Sequence, residues 1–196
     1  MRTILKTVAS AALAAAFCAV TGPAWAQQAP TEPVLTEAEK ETERKARLDL
    51  AAAGLEKLYK LKPDARASIE KSAGYAVFDI TAIYAVLFVG QKGKGVIFDT
   101  ATKKPVYMIS VRAGTGPGLG YQRVYQVFVF KSKGAMDQFM LAQGTGGDIG
   151  ASASAGTEGL VMSFNPLIEI YQVPESGMAL QASWCGTVYT EDAQLK

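Results

Sequence analysis

The chain of 196 residues contains no histidine. The side chain that titrates nearest neutral pH, and the commonest zinc ligand, is therefore missing. Ser-His-Asp and Cys-His nucleophile systems are excluded with it. The nearest approach to a nucleophile elbow, Ser152-Ala153-Ser154-Ala155-Gly156, lacks the first glycine of G-x-S-x-G, and its serines read as small residues that let elements pack closely. Cysteine is almost as scarce: the chain has two, Cys18 and Cys185. Acidic residues cluster only at Glu37, Glu39, Glu41 and Glu43, a two-residue spacing that does not share one helix face. No metal, no cofactor and no catalysis are expected.

Long apolar runs are also lacking after the first. The N-terminus, "MRTILKTVASAALAAAFCAVTGPAWAQQAP", has Arg2 and Lys6, then an apolar run to about Val20, then Ala24-Trp25-Ala26. That is the pattern of a secretory signal peptide over residues 1–26, and the run is too short for a membrane span of about 20 residues. Lipoprotein anchoring through Cys18 is disfavoured because Phe17 stands where a small residue is expected. The expected mature protein starts at Gln27 and is periplasmic or secreted, with Cys185 as its single thiol and no intramolecular disulfide. Without Arg2 and Lys6 the basic residues number 18, equal to the 18 acidic ones, so the mature chain is neutral. The charge is unevenly spread. Between Gln91 and Lys133 eight basic residues face Asp99 alone, whereas Gly134 to the end holds seven acidic residues and one lysine. A basic middle in a neutral chain suits a local anionic ligand and argues against nucleic acid as a partner.

Residues 27–35 read as a linker and 36–196 as a single domain, large enough for a core. Thr36 and Glu39 form a capping box at the start of a helix. Leu48, Ala51, Ala52, Leu55, Leu58 and Tyr59 follow at helical spacing, Lys62-Pro63-Asp64 breaks the helix, and a short second one runs to about Ser72, with Gly74 just past its end. The grammar then changes to strands: "YAVFDI", "AIYAVLFV", "KGVIFD", "PVYMISV", "GTGPGLGYQ" and "VYQVFVFK". A short helix, "KGAMDQFMLA", comes next, then strands at "DIGASASAG", "LVMSFNPLIEIYQV" and "MALQASWCGTVY", the last two joined by a turn at Pro174-Glu175-Ser176-Gly177. In the last strand Met178, Leu180, Ala182 and Trp184 take the apolar face and Cys185 the other. Val86 to Val89 and Val127 to Phe130 are apolar on both faces, so both stretches are expected to be covered on both sides. The expected fold is α+β, with N-terminal helices packed on a strongly curved or barrel-like antiparallel sheet.

Glycine falls at every second position of "RAGTGPGLGYQ": Gly114, Gly116, Gly118 and Gly120. The spacing fits neither G-x-G-x-x-G nor a Walker loop, and Val96 stands where "GQKGKGV" would need its lysine. A period of two puts the four glycines on one strand face, which lets a helix, a neighbouring aromatic ring or a ligand approach the backbone.

The stretch "AGYAVFDITAIYAVLFVGQKGKGVIFD", with Gly90, Gly93, Gly95 and Val96 in a G-x-x-G-x-G-V pattern, resembles the opening of the SYLF domain. "GTGPGLGYQ" is similar to that family's glycine-alternating strand, "GGDIGASASAG" to its small-residue strand, and "YQVPESGMALQASWCGTV" to its closing hairpin, with Tyr171, Gly177 and Gly186 in register. The resemblance covers about Ala38 to Val188. It implies phospholipid binding without catalysis. Lys92, Lys94, Lys103, Lys104, Arg112, Arg123, Lys131 and Lys133 are then the candidate headgroup contacts, and the partner an anionic phospholipid or membrane surface. Charge alone gives only weak affinity, so an apolar insertion or a pocket has to add to it. The Thr36 to Leu61 helix could supply the insertion or pack on the sheet instead. The alternative is a structural or protein-interaction protein of the cell envelope.

Overall fold

The computed structural model describes residues 34–141, 159–161, 165–181 and 184–196, with the backbone alone at residues 116, 159–161, 177–181 and 184–186. Helix α1 (Glu37–Leu61) starts at the expected capping box: the Thr36 amide donates to Glu39 Oε2 at 2.8 Å and the Glu39 amide to Thr36 Oγ1 at 3.4 Å. Lys62-Pro63-Asp64 ends α1, and α2 (Ala65–Glu70) follows. Gly74 belongs not to the end of α2, which Lys71 caps, but to the start of β1.

The six short strands expected from Gly74 to Phe130 are two long ones, β1 (Gly74–Asp99) and β2 (Pro105–Phe130), each of 26 residues. They pair antiparallel from Gly74↔Phe130 to Phe98↔Pro105. Helix α3 (Lys133–Leu141), β3 (Gly159–Val161), β4 (Ile168–Gln181) and β5 (Trp184–Glu191) complete the order. The fold is α+β, helices plus a five-stranded antiparallel sheet with path β1-β2-β4-β3 and β5 also on β2. That path does not return to β1, so the sheet is not closed. The expected turn at Pro174–Gly177 is instead part of β4, with a bulge opposite Arg123 and Val124. Asp148–Gly156, and the side chains of Met178, Leu180, Ala182, Trp184 and Cys185, lie outside what is described.

A straight 26-residue strand would run roughly 85 Å at 3.3 Å per residue, about twice the width of a domain this size. The ribbon therefore doubles back. Between Val86↔Gly118 and Phe88↔Thr115, Gly116 and Pro117 of β2 face the single Leu87 of β1. At the same level β2 changes its other partner, from β5 (Met108↔Glu191 to Thr115↔Trp184) to β4 (Gly118↔Gln181 to Phe130↔Ile168). Proline lacks the ladder donor, and a bulge bends a strand, so this is where the sheet turns. Val86 has φ 54, and with it the side alternation of β1 reverses. Ala76, Phe78, Ile80, Ala82 and Tyr84 face inward before the bend, and Val89, Gly93, Gly95 and Ile97 after it.

The two halves of β1 then meet backbone to backbone. A Cβ on Gly93 would lie 2.9 Å from Ile80 Cγ1, one on Gly95 2.6 Å from the Val77 carbonyl oxygen, and one on Gly74 2.6 Å from that of Phe98. The Thr100 amide closes the far end on the Ala73 carbonyl at 3.1 Å. Between the halves lies the main core. Tyr189 of β5 meets Phe78 and Phe128 edge-on, at 5.0 and 5.4 Å between ring centres, and Phe139 of α3 tilted at 5.0 Å, and its hydroxyl donates to Gln126 Oε1 at 3.2 Å. A second core lies under the helices: Ala51, Leu58, Ala65 and Ile69 pack on Val77, Val127, Val129, Tyr125, Tyr171 and Val173. Val127 to Phe130 are thus covered on both sides, as expected. Val86, Leu87 and Phe88 are not: they are 68%, 59% and 70% exposed, and only Val89 of that run is buried.

Helix α1 packs on the sheet by most of the expected stripe, Ala51, Leu55, Leu58 and Tyr59, joined by Arg47 and Gly54. Arg47, Ala51, Gly54 and Leu58 are buried, whereas Ala52 and Leu48 are exposed. Arg47 is admitted because every part of its guanidinium is bonded, to Glu43 at 3.0 Å, the Met108 carbonyl at 2.8 Å and Asp192 at 2.7 Å. Gly54 brings the helix down until a Cβ would stand 3.0 Å from both Tyr125 and Val77.

The close approach at Gly95 is testable against Gly90, whose added Cβ would meet nothing within 4 Å. Gly95→Val is expected to lower unfolding free energy by about 3 kcal/mol, the upper range for overpacking. Gly90→Val should leave it within about 0.5 kcal/mol. Equal chemical-denaturation midpoints for the two variants would contradict the packing described.

Candidate functional site

The structure does not bring the eight expected cations to one face. Lys92 and Lys94 alternate with Gly93 and Gly95 on β1, glycines inward and lysines outward. Lys94 is engaged by Glu43 of α1 at 2.6 Å. Lys103 and Lys104 lie in the turn between β1 and β2, with Lys103 at φ 55. Lys131 pairs with Glu169 at 3.0 Å, and Lys133 with Asp137 at 2.6 Å and Asp99 at 3.4 Å. Arg123 holds Asp79 side-on, its Nε at 2.8 and 3.1 Å from the two carboxylate oxygens and its Nη2 also on Oδ2. That hydrogen-bonded carboxylate raises the Arg123 pKa further above its ordinary value. Arg112 is half-buried opposite Gln91, on the inner side of the ribbon.

Two groups result. Lys103, Lys104, Lys131 and Lys133 gather where the β1–β2 turn meets the start of α3, tied together by the Lys133–Asp99 contact. Lys92, Lys94 and Arg112 lie toward the bend. Among the described residues Lys92, Lys103 and Lys104 are the members of the set that are exposed and carry no ion pair. Asp99, the single acid of the segment, is engaged by other partners. It accepts from the amides of Thr102 and Ala101, which hold its carboxyl below the usual carboxylate range, with Lys133 adding to the effect.

The glycine strand pairs with β1 on either side of the bulge. Tyr84 stands across the ladder from Gly120, and with Ala82 and Val89 it forms a small buried cluster on the side that Gly114, Gly118 and Gly120 share. Gly120 has φ 137, a conformation that L side chains rarely adopt.

A cavity of about 290 Å³ opens between the end of α1 and β4, lined by Leu58, Leu61, Lys62, Tyr171, Val173 and Pro174 among others. Among the described residues Lys62 is its only charged lining residue, and none of the eight candidate cations lines it. No group of three Cys, Asp or Glu able to hold a metal ion occurs among the described residues, and no described helix is long and apolar enough to cross a membrane.

The exposed apolar bend was missed by sequence reasoning. Its signal was present in the unbroken run from Ala82 to Val89 opposite Pro117, but two-sided apolar character normally means two-sided cover.

No family model matches the chain. The chain is similar to Beta cell expansion factor A of Aeromonas veronii, 32% identical over 148 residues. The match takes in 74% of this chain and 56% of the relative, so the chain spans little more than half the relative's length. That name speaks of beta cell expansion and states no ligand, substrate or reaction.

The Glu43–Lys94 contact has a definite pH dependence. The Lys94 hydrogen bond, with Arg47 second, holds the Glu43 carboxyl below its ordinary range against the opposing effect of burial. A depressed carboxylate contributes stability above its unfolded value and loses it as pH falls through the folded one. The melting temperature of the native chain is therefore expected to fall more steeply on acidification through the carboxylate range than that of Glu43→Gln, which starts lower. Parallel curves would show that the pair contributes nothing.

Proposed function

We propose that the chain is an exported, non-catalytic module of the SYLF kind that binds anionic phospholipid headgroups at a membrane surface. The observation that carries this reading is the charge layout of the ribbon. From Ile80 to Met136 eight cations stand against one acid, that acid accepts from the backbone amides of Ala101 and Thr102 and pairs with Lys133, and three lysines project with no internal partner among the described residues. The bent sheet, strongly curved and barrel-like in this reading, is the rigid support on which they are displayed.

The magnitude is modest. A basic residue near an anionic membrane is worth about 1 kcal/mol, so three supply about 3 kcal/mol, less than the roughly 4 kcal/mol of a millimolar complex. Helix α1 does not supply the missing part as an inserted helix in this conformation, because its apolar line is covered by the sheet. A structural or protein-interaction role in the envelope draws on a different observation: Lys94, Arg123, Lys131 and Lys133 are all engaged in ion pairs within the chain.

Sedimentation with vesicles separates the two. Binding to phosphatidylglycerol vesicles is expected to exceed binding to phosphatidylcholine vesicles. It should fall at least tenfold when salt rises from about 0.05 to 0.5 M, as the Debye length drops below about 5 Å. The triple variant Lys92→Glu, Lys103→Glu, Lys104→Glu should lose it while melting unchanged, since none of the three has an internal partner to lose. Undiminished binding by that variant would overturn the assignment. Export makes its own prediction: the mature protein should begin at Gln27, as mass spectrometry of the exported chain would report, and an acylated Cys18 as first residue would refute it.

A further inference from the structure

The bend of the β1–β2 ribbon exposes Ile83, Val86, Leu87 and Phe88 of β1 and Leu119 and Tyr121 of β2, between 47% and 71% of each. They form one patch. Ile83 pairs with Tyr121 and Ala85 with Leu119, so these share the outer face before the bend, and Phe88 continues that face after it, across from Thr115. Strict alternation along β1 would have placed Phe88 inside with Tyr84. The left-handed conformation of Val86 reverses the alternation and turns Phe88 outward. Such a conformation is rare for a β-branched residue and persists only where the surrounding structure holds it. A contiguous exposed apolar patch of this kind marks a surface that something covers.

Charge identifies what covers it. No acidic residue occurs from Ile80 to Phe98 or from Thr100 to Met136, the two stretches that make and flank the bend. Every charged side chain on them is a cation. A protein partner or a second copy of this chain would need acidic groups to oppose that rim. A bilayer with anionic lipid supplies them as a continuous layer. The spacing fits as well. Phe88, Gly90 and Lys92 lie on one face of β1, and the four steps from Phe88 to Lys92 span roughly 13 Å. With Phe88 at the acyl boundary, the exposed ammonium of Lys92 sits at the level of the headgroups. Tyr121, an apolar ring with a polar tip, has the character of a side chain at a membrane–water interface.

We infer that the bend is a membrane-inserting tip: Leu87, Phe88 and Leu119 enter the acyl boundary of an anionic bilayer while Lys92 contacts phosphate above them. This deepens the lipid-surface reading and rests on it. Insertion is shallow. Leu87 faces two residues at the bulge, so its ladder is interrupted, and unpaired backbone groups are not tolerated in the hydrocarbon interior. The tip therefore stops at the interface, roughly 5–10 Å deep, as surface-bound helices do.

The test uses the full mature chain with vesicles of phosphatidylglycerol and phosphatidylcholine. Leu87→Ser with Phe88→Ser should leave the melting temperature unchanged, because both side chains are exposed, and should weaken vesicle binding at least tenfold while keeping its salt dependence. In a second measurement Leu119→Trp is mixed with the same vesicles carrying brominated acyl chains. Its fluorescence should be quenched well beyond that of the native chain, whose Trp184 sets the background, and that of Ala101→Trp, at an exposed turn position that carries no charge, should not. If the native chain binds in a salt-sensitive way and the double variant binds equally, the tip is not inserted and the headgroup reading survives. Failure of the native chain to bind any anionic vesicle would overturn both. Lipid-free self-association in sedimentation velocity that the double variant abolishes, with vesicle binding unchanged, would assign the patch to a second copy and refute insertion.

Discussion

The constraint on which the structure depends is the contact of β1 with itself. Phe78 and the Val77 carbonyl occupy the space where a side chain at position 95 would be, and Ile80 and the Asp79 carbonyl that at position 93. Only glycine lets two stretches of one strand cross at that distance. Once they cross, the rest follows. The inner face closes over Phe78, Phe128 and Tyr189, the outer face of the first half is left for α1 and α2, and the ribbon must turn sharply between them. The lysines between those glycines have no choice but to face out. The same two-residue alternation thus makes both a very close packing and, at Lys92, an outward cation with no ion pair among the described residues.

Much of this was legible one element at a time. The capping box at Thr36 and Glu39, the break at Pro63, the helix after Lys133 and the strand character of "GTGPGLGYQ" all arise from interactions between residues close in sequence, and each appears where local chemistry puts it. The continuity of β1 was not legible. Nothing in Asp79 or Gly90 announces that the chain continues straight past them, because a strand's length is set by its partner, and the partner of Asp79 is Tyr125, with Arg123 reaching across to hold its carboxylate. Pro174 to Gly177 has the composition of a turn, yet β2 continues opposite it and draws it into the ladder with a bulge. Arg47 could not be read as buried from its type; its burial requires Met108 and Asp192, 61 and 145 residues away.

The candidate cations show the same division. Composition correctly located an acid-poor segment, but a list of residues along a ribbon does not say which side each takes or which acid waits there. Glu43, Glu169 and Asp79 come from α1, β4 and the first half of β1, and each neutralises a cation from a distant part of the chain. What the fold leaves over is smaller in charge than the sequence suggested and richer in apolar surface. The balance between the two decides how a surface of this kind holds on to anything.

The helix that covers the second core is fastened at its N-terminal half by the last residues of the chain. Arg47 holds Asp192, Arg44 donates to the Leu195 carbonyl at 3.2 Å and to that of Lys196 at 3.2 Å, and Leu195 is itself buried. A chain that emerges from a ribosome or a translocation channel N-terminus first therefore produces α1 early and its clasp last. Arg47 gains its acceptor on Met108 61 residues later, but its partner Asp192 only 145 residues later. The ion pair that fixes the N-terminal half of the first helix is therefore made long after that helix has formed.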